Sequence, residues 1–178
     1  EKGTVKNEEE FRAKIAESLQ PQLEANADYK FMLDVRTYCE QKVGELTWPD
    51  ALLKRIMLAN NKDKGEDFVE KNYAESIKQL EWHLIKEQLV KANDIKVEDA
   101  DIKNAAKEMA RMQFAQYGMS NVPDEYVDNY ANELLKKREA VDNFIERAID
   151  VKLAAALKST VTLNNKEVTL EEFNEMMK

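Results

Sequence analysis

The 178 residues carry 27 Lys and Arg against 35 Asp and Glu, a formal net charge of −8, and 43% of them are hydrophobic. Such apolar content can build a core and excludes a disordered chain, while only 4 Gly and 3 Pro leave too few turn residues for sheets or barrels. The acidic balance makes nucleic acid and anionic membranes poor partners, since the longest basic cluster is Lys136-Lys137-Arg138. An all-α domain spanning the whole chain is the expectation.

Cys39 is the single cysteine, so no intrachain disulfide can form, which fits a reducing, cytoplasmic compartment. No apolar run approaches the roughly 20 residues that span a bilayer. The chain opens on "EKGTVKNEEEF" without an initiator Met or a signal peptide, which reads as a piece of a longer protein.

The first helical pattern covers residues 8–43. Phe11, Ile15 and Leu19 recur at four-residue spacing, and Phe31, Val35 and Tyr38 continue the stripe. Pro21 predicts a kink or a division into two helices, and Gly44 is placed to end the run. A second helix opens at "TWPD", with Thr47 as cap, Pro49 in the first turn and Asp50 favouring the helix dipole. It fades at Asn60-Asn61 into the loop "NNKDKG".

A third helix is predicted over 66–92, with Val69, Tyr73, Ile77, Leu80 and Leu84 on its stripe. A fourth covers 97–117 and stops at Gly118. A fifth runs without interruption over 123–157, carrying Val127, Tyr130, Leu134, Val141, Ile145 and Ala148. "STVTLNNKEVT" reads as extended, with a hairpin through Asn164-Asn165. A last short helix follows Thr169, where Thr169 and Glu172 make a capping box. Residues 1–60 thus hold a long helix and a connecting helix, 61–157 helical arms, and 158–178 an extended segment with a terminal helix.

One phrase recurs. Leu46, Trp48, Ala51 and Leu53 align with Ile95, Val97, Ala100 and Ile102, each pair 49 residues apart. Both phrases follow a long helix and place an apolar residue just before the next, the pattern of a hydrophobic staple that fixes the entry angle. "NVPDEYV" and "EVTLEEF" are looser versions. Trp48 is expected at a corner between helices.

Catalytic chemistry finds little support. His83 is the single histidine and lies mid-helix, away from any turn that could present a nucleophile. Leu80 stands where a helical di-iron motif needs Glu. One Cys and one His exclude the usual zinc sets, and the isolated glycines form no phosphate loop. No cofactor is expected.

Binding is better supported. Met109, Met112, Phe114, Tyr117 and Met119 gather where the fourth helix ends, and Tyr126 and Tyr130 lie on the return. At the tip of a hairpin they would form an adaptable apolar surface, because methionine fits varied partners without fixed geometry. The alternative is that they pack the two helices together.

The phrases "EEEFRAKIAESL", "ELTWPDALLKRIM", "LVKANDIKVEDADIKNAAKEMA" and "VTLEEFNEMM" resemble, in order and spacing, the C-terminal part of the trigger factor family of bacterial ribosome-associated chaperones. The resemblance implies a helical body with protruding arms that cradles unfolded or nascent polypeptides without ATP. From "KEMA" and "EYVDNY" it implies client contacts at Met109, Tyr117, Val127 and Tyr130, and less specifically along Tyr73, Ile77, Leu80 and Leu84. The family's ribosome-docking loop, Gly-Phe-Arg-x-Gly-x-x-Pro, is absent, and so is any stretch for its β-rich prolyl isomerase domain. Ribosome docking and isomerase activity would therefore lie in domains absent from this chain. A helical scaffold for one dedicated partner, or for its own copy as a homodimer, is the competing reading. A periplasmic chaperone of related arm architecture is a third.

Helix length generates the first testable outcome. A helix of some 35 residues is about 50 Å long, whereas a compact chain of this size has a diameter of roughly 40 Å. Small-angle scattering should give a radius of gyration clearly above the compact value of about 16 Å. A monomer at the compact value contradicts protruding arms.

Overall fold

The computed structural model describes residues 7–119 and 121–177, and these form seven helices and no strand. In chain order they are α1 (Glu8–Val43), α2 (Asp50–Asn60), α3 (Gly65–Ala92), α4 (Asp99–Gln116), α5 (Asp124–Leu134), α6 (Arg138–Thr160) and α7 (Leu170–Met176). They make two compact units. One comprises the chain up to Ile85 with the segment from Asn165 onward, and the other is Lys86–Asn164.

In the first unit, α1 begins at Asn7, whose side-chain oxygen accepts the Glu10 N–H at 2.8 Å, and three glutamates fill its first turn. The division into two helices at Pro21 is not found. The helix continues through it, and the carbonyl of exposed Glu17, deprived of its donor, faces solvent that can replace the bond. Gly44 ends α1 at φ 72, ψ −163, a conformation essentially restricted to glycine, with its N–H donated to the Glu40 carbonyl at 3.0 Å. Thr47 does not cap α2, contrary to expectation. Pro49 takes that position, its carbonyl accepting from Leu52 and Leu53.

Polar contacts join α2 to α3. The Tyr73 hydroxyl donates to Asp50 Oδ1 at 2.6 Å, and Lys54 reaches Glu70 at 2.8 Å while lying 5.1 Å from the Tyr73 ring. Burial and then the Asp50 carboxylate push the Tyr73 hydroxyl up to about 12. Between α1 and α3, Arg36 lies 5.8 Å from the Trp82 ring and donates to the Lys78 carbonyl at 3.4 Å. Among the described residues, Val69 is the one buried hydrophobic residue of this unit. Phe11, Ile15, Leu19 and Leu23 on α1 are exposed.

The second unit holds the dense core. At the end of α3, Asp94 adopts a left-handed conformation, φ 47, which lets Ile95 donate to the Val90 carbonyl at 3.1 Å. The chain then enters α4, where the Glu98 N–H donates to Asp101 Oδ2 at 2.8 Å. The starts of α2 and α4, Asp50 and Asp99, repeat the 49-residue spacing of the staple phrases. Trp48 and Val97 are both half-buried just ahead of them.

Packing in this unit depends on small side chains. Ala105, Ala106 and Ala110 on α4 are buried, as is Ala131 on α5, and Phe144 on α6 fills the space beside them. With three alanines on that face, α4 packs against both α5 and α6. Leu153 and Leu157 extend the buried set along α6.

The uninterrupted fifth helix predicted over 123–157 is not present. It breaks between Leu134 and Arg138 into α5 and α6. A continuous straight rod could not bring both Ala131 and Phe144 into one buried cluster with Ala105 and Ala106 of α4. The turn leaves Leu134 and Leu135 packed on the core. The predicted hairpin at Asn164-Asn165 is also missing, for residues 161–169 are irregular and form no strand pairing. The capping box is as read, with Thr169 Oγ1 accepting from Glu172 at 3.2 Å and Glu172 accepting the Thr169 N–H at 2.8 Å.

Ala106 is fully enclosed, so Ala106→Leu must push α4 away from its neighbours. A loss of about 1–3 kcal/mol is expected in denaturant unfolding, as for other overpacked cores. A neutral result would show that these helices have slack at their contact.

Candidate functional site

The aromatic and methionine cluster predicted from the sequence falls at the α4–α5 connection, inside the second unit. Its geometry begins with the end of α4. Gly118 takes φ 76 and donates to the Ala115 carbonyl at 2.9 Å, and Met119 donates to the Phe114 carbonyl at 2.9 Å. This paired closure satisfies the last carbonyls and turns the chain sharply toward Pro123, which opens α5.

The turn borders an open groove of about 1080 Å³. Phe114, Met119, Val122, Pro123, Tyr126 and Tyr130 give it an apolar lining. The Phe114 and Tyr130 rings meet at 5.5 Å and 51°, a tilted arrangement favoured by their quadrupoles. The Tyr130 hydroxyl donates to Gln113 Oε1 at 2.6 Å, fixing that ring. Tyr117 is 81% exposed, Tyr126 63%, and Met112 and Met119 48% each.

Two of the predicted residues do not belong to this surface. Val127 is 1% exposed and sits in the core, and Met109 packs against the cluster of Ala105, Ala106, Ala131 and Phe144. Both lie on the inner faces of their helices, so the alternative of helix packing holds for them. Phe114 is half-buried, packing on Tyr130 while also lining the groove. On α3, in the other unit, Leu84 is exposed at 41%, Ile77 and Leu80 are half-buried, and Tyr73 is engaged with Asp50. The α3 set therefore offers less open apolar surface than the α4–α5 tip.

Sequence reading overlooked Asn121, Val122, Pro123, Asn129 and Asn132, all of which border the groove. The signal was available: positions 126, 129, 130 and 133 share one face of a helix at period 3.6. Attention to apolar residues alone passed over the asparagines between them.

Ion pairs hold the walls. Lys107 meets Asp128 at 2.5 Å and Arg111 meets Asp124 at 2.8 Å, both joining α4 to α5. Within the groove Lys136 pairs with Glu133 at 2.5 Å. The hydrogen bond from Lys107 holds the Asp128 carboxyl below the usual carboxylate value, against the opposing effect of burial.

A second hollow, of about 660 Å³, lies in the first unit beside Trp48, with Thr37, Leu46 and Glu81 around it. Trp48 is half-buried there, at the corner the staple phrase implied. Burial, and then Glu40, raise the Cys39 thiol above its ordinary value, which disfavours the reactive thiolate. Among the described residues no group of His, Cys, Asp or Glu is arranged to hold a metal ion, and no helix is long and apolar enough to cross a membrane.

Fold and groove together define an all-helical domain with an adaptable apolar surface at the end of a helical pair. Over residues 27–177 the chain matches the family described as probable trigger factor, C-terminal domain, and it belongs to that family. No curated protein and no solved structure matched the chain. The family supports a chaperone-type domain, separate from the isomerase domain of trigger factor.

A depressed folded-state pKa at Asp128 contributes stability that is complete above the ordinary Asp value near 4 and is lost as pH falls through the lower folded value. Asp128→Asn should therefore lower the melting temperature at pH 7 and flatten its decline between about pH 5 and 2. Parallel pH curves for variant and parent would remove the Lys107–Asp128 pair from the acid response.

Proposed function

We propose that this domain is an ATP-independent chaperone module that holds unfolded or nascent polypeptide segments at the α4–α5 tip. The observation that carries the reading is the exposure of Met119 and Tyr126 at a groove walled by Phe114 and Tyr130, with Met112 and Tyr117 also exposed near the end of α4. These large apolar groups stay open to solvent while alanines a few residues away are fully enclosed, so the sequence places bulk at the surface and small residues inside. The exposed Leu84 on α3, with Ile77 and Leu80, supplies a second, weaker patch.

The mechanism follows from magnitudes. Burying one large apolar side chain contributes at most about 1.5–3 kcal/mol, and association and ordering offset much of it. A single patch then holds a client weakly and releases it quickly, while several patches on one chain gain avidity. Release needs no nucleotide. Ribosome docking and prolyl isomerisation belong in this reading to other domains of a longer cytoplasmic protein.

The test uses exposed positions only. Met112→Ser, Tyr117→Ser, Met119→Ser and Tyr126→Ser combined should weaken suppression of client aggregation by at least about tenfold in concentration, equivalent to about 1.4 kcal/mol. The far-UV helical signal should be retained, because truncation at solvent-facing positions costs little stability. Full protection by a folded quadruple variant would move the binding surface to α3. One saturable, tight partner and indifference to unfolded clients would favour the dedicated scaffold.

A further inference from the structure

Apolar side chains alone do not account for the lining of the α4–α5 groove. Asn121 precedes α5, and Asn129 and Asn132 lie on it three residues apart, all three exposed and bordering the groove. None has a hydrogen-bond partner among the described residues, whereas Gln113 nearby is engaged by Tyr130. Each amide offers two N–H donors and an acceptor oxygen. The groove's charged residues, Glu133 and Lys136, are paired with each other and leave it locally neutral.

From this juxtaposition we infer that the groove recognises the free main chain of an extended, uncharged polypeptide segment, with Asn121, Asn129 and Asn132 pairing to its peptide N–H and C=O groups. The inference rests on the proposed function and specifies its substrate class. Charge complementarity selects the occupant: a neutral groove offers no counter-charge to a strongly acidic or basic segment. A peptide main chain is neutral and presents both donors and acceptors, as the amides do. A segment already in a helix has spent most of those groups internally and would meet the asparagines with nothing to exchange. The groove's volume of about 1080 Å³ is at or above the roughly 300–1,000 Å³ of small-molecule clefts, and it is open, which suits a passing chain. Main-chain recognition also explains how one groove could accept many sequences, since every unfolded chain carries the same amides.

The experiment compares two fluorescent twelve-residue peptides of identical uncharged, Leu- and Phe-containing sequence. One is all-amide, and the other has alternate peptide bonds replaced by esters, which removes N–H donors and weakens the acceptors while keeping the side chains. By fluorescence anisotropy the parent domain should bind the ester peptide about tenfold more weakly. Combined Asn121→Ala, Asn129→Ala and Asn132→Ala should weaken the amide peptide by a similar factor and abolish discrimination between the two. Circular dichroism confirms that these exposed substitutions leave the fold intact. Equal binding of both peptides by the parent, or a triple variant that still discriminates, overturns main-chain recognition while leaving an apolar chaperone groove in place. If a Met119→Ser, Tyr126→Ser variant, altered at two groove-lining residues, binds the amide peptide as the parent does, the groove is not the binding site and the inference falls with the reading beneath it.

Discussion

The close contact of α4 with α5 and α6 through alanine is the constraint on which the second unit depends. Ala105, Ala106 and Ala110 keep much of the inner face of α4 small, with Ile102 and Met109 packing beside them, and Ala131 stands next to Val127 on α5. The helices can then approach without large side chains to separate them, and Phe144 from α6 closes the remaining space. All the buried hydrophobic residues among those described, except Val69, lie in this unit. Among the described residues no polar or charged residue is fully buried with them.

That constraint also determines where bulk can go. The alanine-rich seam takes Phe144 and Met109, and the remaining aromatic and Met side chains of α4 and α5 lie toward the helix ends. Phe114 marks the crossover: one turn past Ala110, it is half-buried and its ring leans on Tyr130. Beyond it Tyr117 is almost fully exposed. The tight closure at Gly118 keeps Met119 beside Phe114 at the groove, and the ion pairs of Lys107 with Asp128 and Arg111 with Asp124 brace α4 against α5 behind it. The groove is preorganised by the backbone, while its lining keeps rotamer freedom.

Much of the fold was legible in the sequence. Low glycine and proline content and helical periodicity gave the all-α class, the 49-residue repeat anticipated the starts of α2 and α4, and Thr169 with Glu172 formed the expected box. What was missed has specific causes. The break after Leu134 carries no proline or glycine and arises from tertiary packing of both flanking helices on α4. Pro21 pointed the other way, because an exposed helix tolerates a lost hydrogen bond that water can replace. At the site, periodicity showed which residues share a face but not which face turns inward. Val127 and Met109 entered the candidate surface through the family resemblance, and the structure places Val127 in the core and Met109 against Ala105, Ala106, Ala131 and Phe144, contacts no local pattern encodes.

The two units differ in what holds them, and this bears on how each can use its apolar surface. In the first, α2 and α3 are joined by the Tyr73–Asp50 hydrogen bond and by Lys54, and α1 meets α3 through Arg36 and Trp82. Such contacts are partly open to water, and each is worth about a kilocalorie per mole or less. Exposed Phe11, Ile15, Leu19 and Leu23 on α1 therefore sit on a unit with few enclosed contacts. In the second unit the alanine-rich seam holds the helices together away from the α4–α5 tip. Under the proposed function this separation of core from lining lets occupancy change while the scaffold that presents the groove stays the same.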